Sequence, residues 1–318
     1  MRIFRHYTEL PAAARGAVVA IGNFDGIHRG HQAIIAEAGK IARAFAAPLT
    51  VLTFEPHPRS FFHPELPPFR LTPFRIKARL IEALGVDELI VLAFDEALSK
   101  LSAEAFVSGI LVGGLAVRHA AVGDNFAFGH KRGGDAALLE RLGRHHGFGV
   151  SCLMRVRGPG GEVYSSTRIR AALQAGDPPA AALLLGRHWE IEGRVLPGDK
   201  RGRELGMPTA NLSLDGYLEP ARGVYAVRAG LDRGREIDWH DGVANLGVRP
   251  MFDGKTCLLE AHLFEFAHDI YGQHLRVALV ERLRPEMRFD SIGTLVAQMQ
   301  EDGRRARALL ATSVLARE

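Results

Sequence analysis

The chain has only two cysteines among 318 residues, Cys152 and Cys257, and neither stands in a CxxC pair. That scarcity argues against a disulfide framework or a structural zinc site and fits a reducing cytoplasm. Long apolar runs are missing as well: none approaches the roughly 18 residues that a membrane-spanning helix needs. The opening MRIFRHYTELP lacks the apolar segment of a secretory signal, so a soluble cytoplasmic protein is expected. There is no block of one charge. The formal net charge of +4 is spread along the chain, whereas a dedicated nucleic-acid binder clusters its Lys and Arg. Neither nucleic acid nor a membrane is an expected partner. Repeats and low-complexity tracts are absent, and 47% hydrophobic with 24% charged residues is ordinary globular composition.

What is present has two rhythms, and the length suits two domains of roughly 150 residues each. Residues 17–156 alternate short apolar runs with helical patterns. AVVAIG (17–22), LTVLTF (49–54), ELIVLAF (88–94), 117–122 and GVSCLMRV (149–156) read as strands. Helices are predicted from Gly30 to Phe45, with Ile34, Ile35, Ala38, Ile41, Ala42 and Phe45 on one face, and near 73–84, 103–112 and 134–146. Such alternation predicts an α/β fold, a Rossmann-like parallel sheet covered on both faces, with ligands bound beyond the strands' carboxyl ends. After about Leu185, short β-patterned runs separated by Gly, Pro and Asp turns predict a small antiparallel, Greek-key type β-barrel. A terminal helix is expected after Asp290, with Ile292, Leu295, Val296 and Met299 at helical spacing. The expected domains are 1–186 and 187–318.

The sharpest local signal is GNFDGIHRGH, Gly22 to His31, between the first strand and the first helix. Gly22, Gly26 and Gly30 permit a tight turn and close backbone approach to a ligand, with Asn23, Phe24 and Asp25 inside the turn. The helix N-terminus adds N–H groups and a positive dipole end, which favour phosphate. His28 and His31, three apart, can face the same way and stabilise charge on a departing pyrophosphate. A metal pair is an alternative that lacks a local third ligand, and turn glycines beside incidental histidines are another. A dinucleotide loop fits poorly because GxGxxG is missing. A second anion cradle is offered by YSSTRIRAAL (164–173), where Ser165, Ser166 or Thr167 can cap a helix carrying Arg168 and Arg170. Alone this is a capped helix with surface arginines; beside the His loop it reads as the other wall of a triphosphate site.

The second half has no P-loop. It offers GRVLPGDKRGRELGMPTANL, Gly193 to Leu212, a glycine-punctuated stretch whose Lys200, Arg201 and Arg203 can fold over phosphates. Thr209 and Asn211 point the same way if extended, and both supply oxygens that magnesium accepts. In CLLEAHLFEF, Glu260 and His262 share one strand face, and a carboxylate there can take a proton from an attacking alcohol. A basic hairpin and a solvent-facing glutamate are the plainer alternatives.

HxGH after the first strand, together with SSTxxR, resembles the nucleotidyltransferase superfamily. The fuller GNFDGIHRGH, with TFEPHP (53–58) and VGDNFAFGHKRGG (122–134), resembles the FMN adenylyltransferase module of bacterial FAD synthetases. The resemblance implies that the Gly22–Gly26 loop binds nucleotide and that His28 and His31 contact the ATP phosphates. It also implies that Asn125 helps bind substrate and that Ser166, Thr167 and Arg170 bind phosphate. Arg168 falls at a freer position, and His57 fits the family string or a plain loop equally. GxPTANL (206–212), GVYAV (223–227), GVANLGVRP (242–250), EAHLFEF (260–266) and LRPEMRFDSI (283–292) resemble the riboflavin kinase module. That likeness implies Thr209 and Asn211 at Mg2+ and Glu260 as base for the riboflavin 5′-hydroxyl, while Gly193, Lys200 and Gly206 are expected at nucleotide phosphates from the glycine-punctuated basic stretch itself. Met251 departs from the family, which more often has Thr after the Arg-Pro.

Both modules run in the order of the bifunctional bacterial enzyme and together span nearly the whole chain. The expectation is phosphorylation of riboflavin to FMN, then adenylylation of FMN to FAD, with ATP as co-substrate and Mg2+ as cofactor. Riboflavin, FMN, FAD and ATP are the expected partners, and a homo-oligomer is left open. Competing readings are a chain with one working half, an adenylyltransferase for nicotinamide mononucleotide or pantetheine phosphate, and a flavin- or RNA-binding regulator. The second leaves the barrel unexplained, and the third lacks an aromatic-basic stacking motif.

Overall fold

Runs without a polar break, such as VVAI at 18–21, are buried along their whole length, as a sheet covered on both faces demands. The computed structural model describes residues 1–158, 160–197, 207–232, 236–248 and 257–313. Lys200, Gly206 and Met251 lie outside the described residues. Two compact units divide the chain, one of Met1–Pro67 and Thr72–Ser165, the other of Pro68–Leu71 and the residues from Ser166 onward.

The first unit begins with β1 (Arg2–Phe4), β2 (Val18–Ile21), α1 (Arg29–Ala44), β3 (Leu49–Glu55), α2 (Pro58–Phe62) and α3 (Phe74–Glu82). It continues with β4 (Glu88–Ala93), α4 (Glu96–Lys100), α5 (Ala103–Ala105), β5 (His119–Gly123), β6 (Ala127–Phe128), β7 (Gly134–Asp135), α6 (Ala136–His146) and β8 (Gly149–Leu153). Six strands form a sheet in the order β1-β4-β3-β2-β5-β8, every pair parallel. Alternate side chains of β2 enter opposite cores. Val19 and Ile21 pack with Phe106, Ile110 and Leu139, whereas Val18 and Ala20 pack with Ile35, Ala38 and Ile81.

Three features differ from the sequence expectation. β1 is too short to show a pattern, yet it pairs with β4 at the sheet edge. The helix expected near 103–112 widens after α5 into a π-helical stretch, Phe106–Gly114, with the Leu115 N–H donating to the Ile110 carbonyl at 2.9 Å. Phe45 is exposed rather than packed, because α1 ends there and Ala46 turns away with φ 47°.

The second unit carries α7 (Ser166–Ala175), α8 (Pro178–Leu185), β9 (Trp189–Arg194), β10 (Ala210–Ser213) and β11 (Gly223–Asp232). β12 (Ile237–Val248), β13 (Cys257–Leu263), β14 (His274–Arg284) and α9 (Ile292–Thr312) follow. Its sheet order is β10-β13-β12-β11-β14-β9, antiparallel throughout. Within it β14-β11-β12-β13 has the Greek-key order of a returning fourth strand beside the first. Just past β9, the Leu196 N–H donates to the Asn211 carbonyl of β10 at 2.8 Å, so the two edges meet and the sheet nearly closes into a barrel. Residues 68–71 join this unit through their carbonyls. Leu71 accepts from Trp189 Nε1, Arg70 from the Leu218 N–H and Phe69 from Arg170 Nε, each at 2.8 Å.

The terminal helix starts at a Ser291 cap, as its position after Asp290 predicts. Its buried face is Asp302, Gly303, Ala306 and Leu310, while Ile292 is 70% exposed. The register is shifted because Asp302 meets the Arg284 guanidinium of β14 through both carboxylate oxygens, at 2.8 to 3.1 Å. This largely buried bidentate ion pair fixes which helix face turns inward.

His188, just before β9, is buried, and neither ring nitrogen has a hydrogen-bond partner among the described residues. Burial and then the Arg228 charge hold its pKa below the ordinary histidine value, against a smaller opposing pull from Glu190. The unfolded chain therefore binds this proton more readily, so the stability is fully present above the ordinary histidine value and declines as pH falls below it. A His188→Phe variant should lose less stability between pH 7.5 and 5.5 than the parent, by no more than about 1.4 kcal/mol in urea unfolding. Parallel losses in the two proteins would refute this role.

Candidate active sites

The His loop follows the carboxyl end of β2. Phe24, Gly26 and Ile27 take positive φ values of 49°, 90° and 44°, a tight path that folds Phe24 and Asp25 inward. The buried Asp25 carboxylate accepts from the Thr72 backbone N–H at 3.0 Å and from the Thr72 hydroxyl at 3.2 Å. The same hydroxyl accepts from the Gly26 N–H at 2.9 Å. Asn23 is held by its carbonyl, which accepts from Thr53 Oγ1 at 3.2 Å. The Gly22 N–H donates to the Leu52 carbonyl at 3.1 Å, so the loop leaves the sheet in register.

His28 is the N-cap of α1, its Nδ1 accepting from the His31 N–H at 3.3 Å. That bond assigns the ring proton to Nε2 and makes Nε2 the donating nitrogen. The two imidazoles stack 3.6 Å apart at 18°, and Phe24 meets His31 edge-on at 5.2 Å. Phe24 therefore acts through packing on the histidine rather than as an exposed group. Gly30 has a local reason to be glycine: a Cβ would stand 3.0 Å from His28 Cε1.

β2 lies between β3 and β5, and the chain steps outward one way from β2 and returns on its other side at β5. That reversal is where open α/β sheets bind ligands. The turn after β5 carries Asn125, which is exposed. His57 caps α2, accepting from the Arg59 N–H at 3.1 Å, which is a loop-building role.

In the second unit, β10, β13 and β12 place Asn211, Glu260 and Asn245 directly opposite one another. Glu260 and His262 are half-buried, while Leu259, Ala261 and Leu263 are buried on the other face, as the alternation predicts. Asn211 is 5% exposed, and its Oδ1 has no hydrogen-bond partner among the described residues. Glu260 and Asn245 line a cavity of about 340 Å3 whose other walls include Met207, Val224, Met287, Phe289, Leu295 and Met299. A second cavity of about 790 Å3 is lined by Pro208, Phe266, His268 and Tyr271 among others. Thr209 and His262 border both.

Gly193 is a rung of β9 opposite Leu275, so it is paired within the sheet rather than opening a loop. Ser166 and Thr167 open α7, and Arg170 lies over the Phe69 ring at 5.1 Å while donating to the Phe69 carbonyl. Sequence reasoning did not single out Thr72 or Asn245. Thr72 is 47 residues from Asp25 and carries no local signal. Asn245 stood in view in GVANLGVRP, and only strand pairing puts it beside Glu260.

A glycine-rich His loop at the switch point of a parallel sheet, in one chain with a barrel whose Glu260 lines a cavity of mixed polar and apolar walls, is an arrangement that suits a two-part enzyme of phosphate chemistry. Residues 10–168 match the FAD synthetase family model and residues 185–310 match the riboflavin kinase model. A bifunctional riboflavin kinase/FMN adenylyltransferase of Pseudomonas fluorescens is 46% identical, over 98% of this chain and 99% of the relative. One from Escherichia coli K12 is 40% identical over 96% and 97%. A crystal structure titled as a macrolide-efflux protein of Streptococcus pneumoniae superposes with a TM-score of 0.84 at 31% identity, covering 96% of this chain and 98% of that one. Among the described residues, no helix is long and apolar enough to cross a membrane. The chain belongs to the bifunctional riboflavin kinase/FMN adenylyltransferase family.

Thr72→Val removes a hydroxyl that both accepts from Gly26 and donates to Asp25, so it should destabilise the first unit by about 1–3 kcal/mol. Thr72→Ser should restore most of that in thermal unfolding. Equal melting of the Val variant and the parent would show that the loop does not depend on this hydroxyl.

Proposed function

We propose that this bifunctional enzyme divides its two steps between its halves, kinase in residues 187–318 and adenylyl transfer in residues 1–186. The observation that carries the kinase half is the Asn211–Glu260–Asn245 row, of which Glu260 and Asn245 line a cavity walled in part by Met207, Val224, Met287, Phe289, Leu295 and Met299. Such walls suit a flat tricyclic ring, and Glu260 is the carboxylate to receive the proton of the riboflavin 5′-hydroxyl. The hydroxyl oxygen bonds to the γ-phosphorus of ATP, the bond to the β-phosphate bridge breaks, and FMN and ADP result.

The donors around Glu260 suit magnesium. A buried Asn211 oxygen without a described partner and the Thr209 hydroxyl are hard oxygen ligands of the kind the ion accepts. Bound there, magnesium would neutralise phosphate charge. Lys200 and Gly206 are proposed at the nucleotide phosphates, with Gly193 leading into that stretch, on its glycine-punctuated basic sequence.

In the first half, an FMN phosphate oxygen attacks the α-phosphorus of ATP and pyrophosphate departs, with no covalent enzyme intermediate. The loop from Gly22 to Gly26, the N-terminus of α1, His28 Nε2–H and His31 supply donors for the developing charge. Asn125, Ser166, Thr167 and Arg170 are proposed as further substrate and phosphate contacts on the motif's account. Both cysteines are free, and burial pushes the Cys257 thiol up to about 12, which suits a reducing cytoplasm and a chemistry without thiolates.

Purified enzyme given riboflavin, ATP and magnesium should form FMN and then FAD, read by separating the flavins. Changing His28 and His31 together to Ala should lower FAD formation by at least about 100-fold while FMN accumulates. Glu260→Gln should stop FMN formation and leave FAD formation intact when FMN is supplied. Loss of both activities in either folded variant would contradict the division of labour.

A further inference from the structure

The ladder between β10 and β13 runs from Ser213–Leu258 to Ala210–Ala261 and stops. Continuing it would set Thr209 beside His262 as a pair without mutual hydrogen bonds and would bring the Pro208 carbonyl to the Leu263 N–H, but β10 begins only at Ala210. The His262 side chain spans the gap instead, with Nδ1 2.9 Å from the Pro208 carbonyl oxygen. A carbonyl only accepts, so the hydrogen of this bond sits on Nδ1. Phe264 meets the ring edge-on at 6.0 Å. The consequence falls on Thr209. It is the residue after the anchored carbonyl, it borders both cavities, and it precedes the first rung of the sheet.

We infer that His262 is a positioning residue for the phosphoryl transfer: its Nδ1–H holds the Pro208 carbonyl and thereby sets Thr209 at the junction of the two cavities. This rests on the reading of the Glu260 site given above. A strand normally fixes a residue through paired backbone bonds on the ladder. Here one side-chain bond takes the Pro208 carbonyl where the ladder has stopped, so the placement of Thr209 depends on one imidazole. His262 touches the backbone beside Thr209 and no reacting atom, so it acts on the rate without owning a limb of the pH profile.

The experiment uses the full-length enzyme and measures FMN formation for His262→Ala, His262→Asn and Glu260→Gln, with FAD formation from supplied FMN as the check on folding. In His262→Ala we expect kcat for FMN formation to fall roughly 10- to 100-fold, the cost of a reacting group misplaced by about an ångström. KM for riboflavin should move less than about threefold, and the pH profile should keep its shape, because binding and proton transfer lie elsewhere. His262→Asn keeps a donor near the same position, so it should recover kcat to within about fivefold of the parent.

Parent-like kcat in His262→Ala, a shifted pH limb, or an Asn variant no better than Ala would each overturn the inference. The first means the anchor is idle, the second that His262 exchanges protons in the reaction, and the third that the hydrogen bond is not the cause. Unimpaired FMN formation by Glu260→Gln would sink the reading of the site itself, a result separate from the His262 series. If His262→Ala also loses FAD formation, the Asn variant decides, since recovery of FMN formation there still requires the Nδ1 bond to matter.

Discussion

A strand whose two faces differ in polarity has one acceptable register, because a slip of one residue sends every side chain to the opposite face. In the barrel unit that constraint governs the chemistry. Leu259, Ala261 and Leu263 are buried on one face of β13, which obliges Glu260 and His262 to face the cavities. The pairing with β10 and β12 then brings Asn211 and Asn245 opposite Glu260. Core packing, rather than any attraction among the polar groups, gathers the residues that would handle phosphate.

The other unit solves the same problem with parallel strands. Its inner strands are buried on both faces, so no side chain within them is available for chemistry, and the reacting groups move to the loops at the strand ends. The loop after β2 is strained by positive φ values at Phe24 and Ile27, and Thr72 holds it by taking the Asp25 carboxylate and the Gly26 N–H. The interior side of the loop is spent on structure, and His28 and His31 stack on one another at the α1 terminus.

Charged pairs in the barrel unit act in a similar way on its walls. Arg284 grips Asp302 of α9 in bidentate fashion, and Arg228 donates to the Leu310 carbonyl near the end of the same helix. The helix is thus held at two places along its length, and Leu295 and Met299 complete one side of the smaller cavity. Buried pairs of this sort add little net stability but specify one arrangement over its neighbours.

Much of this was legible in the amino-acid order. Period-two and period-3.6 patterns are local, so they locate the strands, the covering helices and the terminal helix, and alternation alone puts Glu260 and His262 on one face. The glycine-bounded His loop at a helix start carries its phosphate preference in adjacent residues, whereas the flavin substrates came from likeness to a family and not from periodicity. Tertiary structure decided what distance in the chain hides. It chose the inward face of α9 through Asp302 and Arg284, brought Thr72 to Asp25, lined Asn211 and Asn245 up with Glu260, and ended β10 one residue short of Thr209. Each of these depends on partners far apart in sequence, and a pairing set by packing and register leaves no periodic trace in either segment alone.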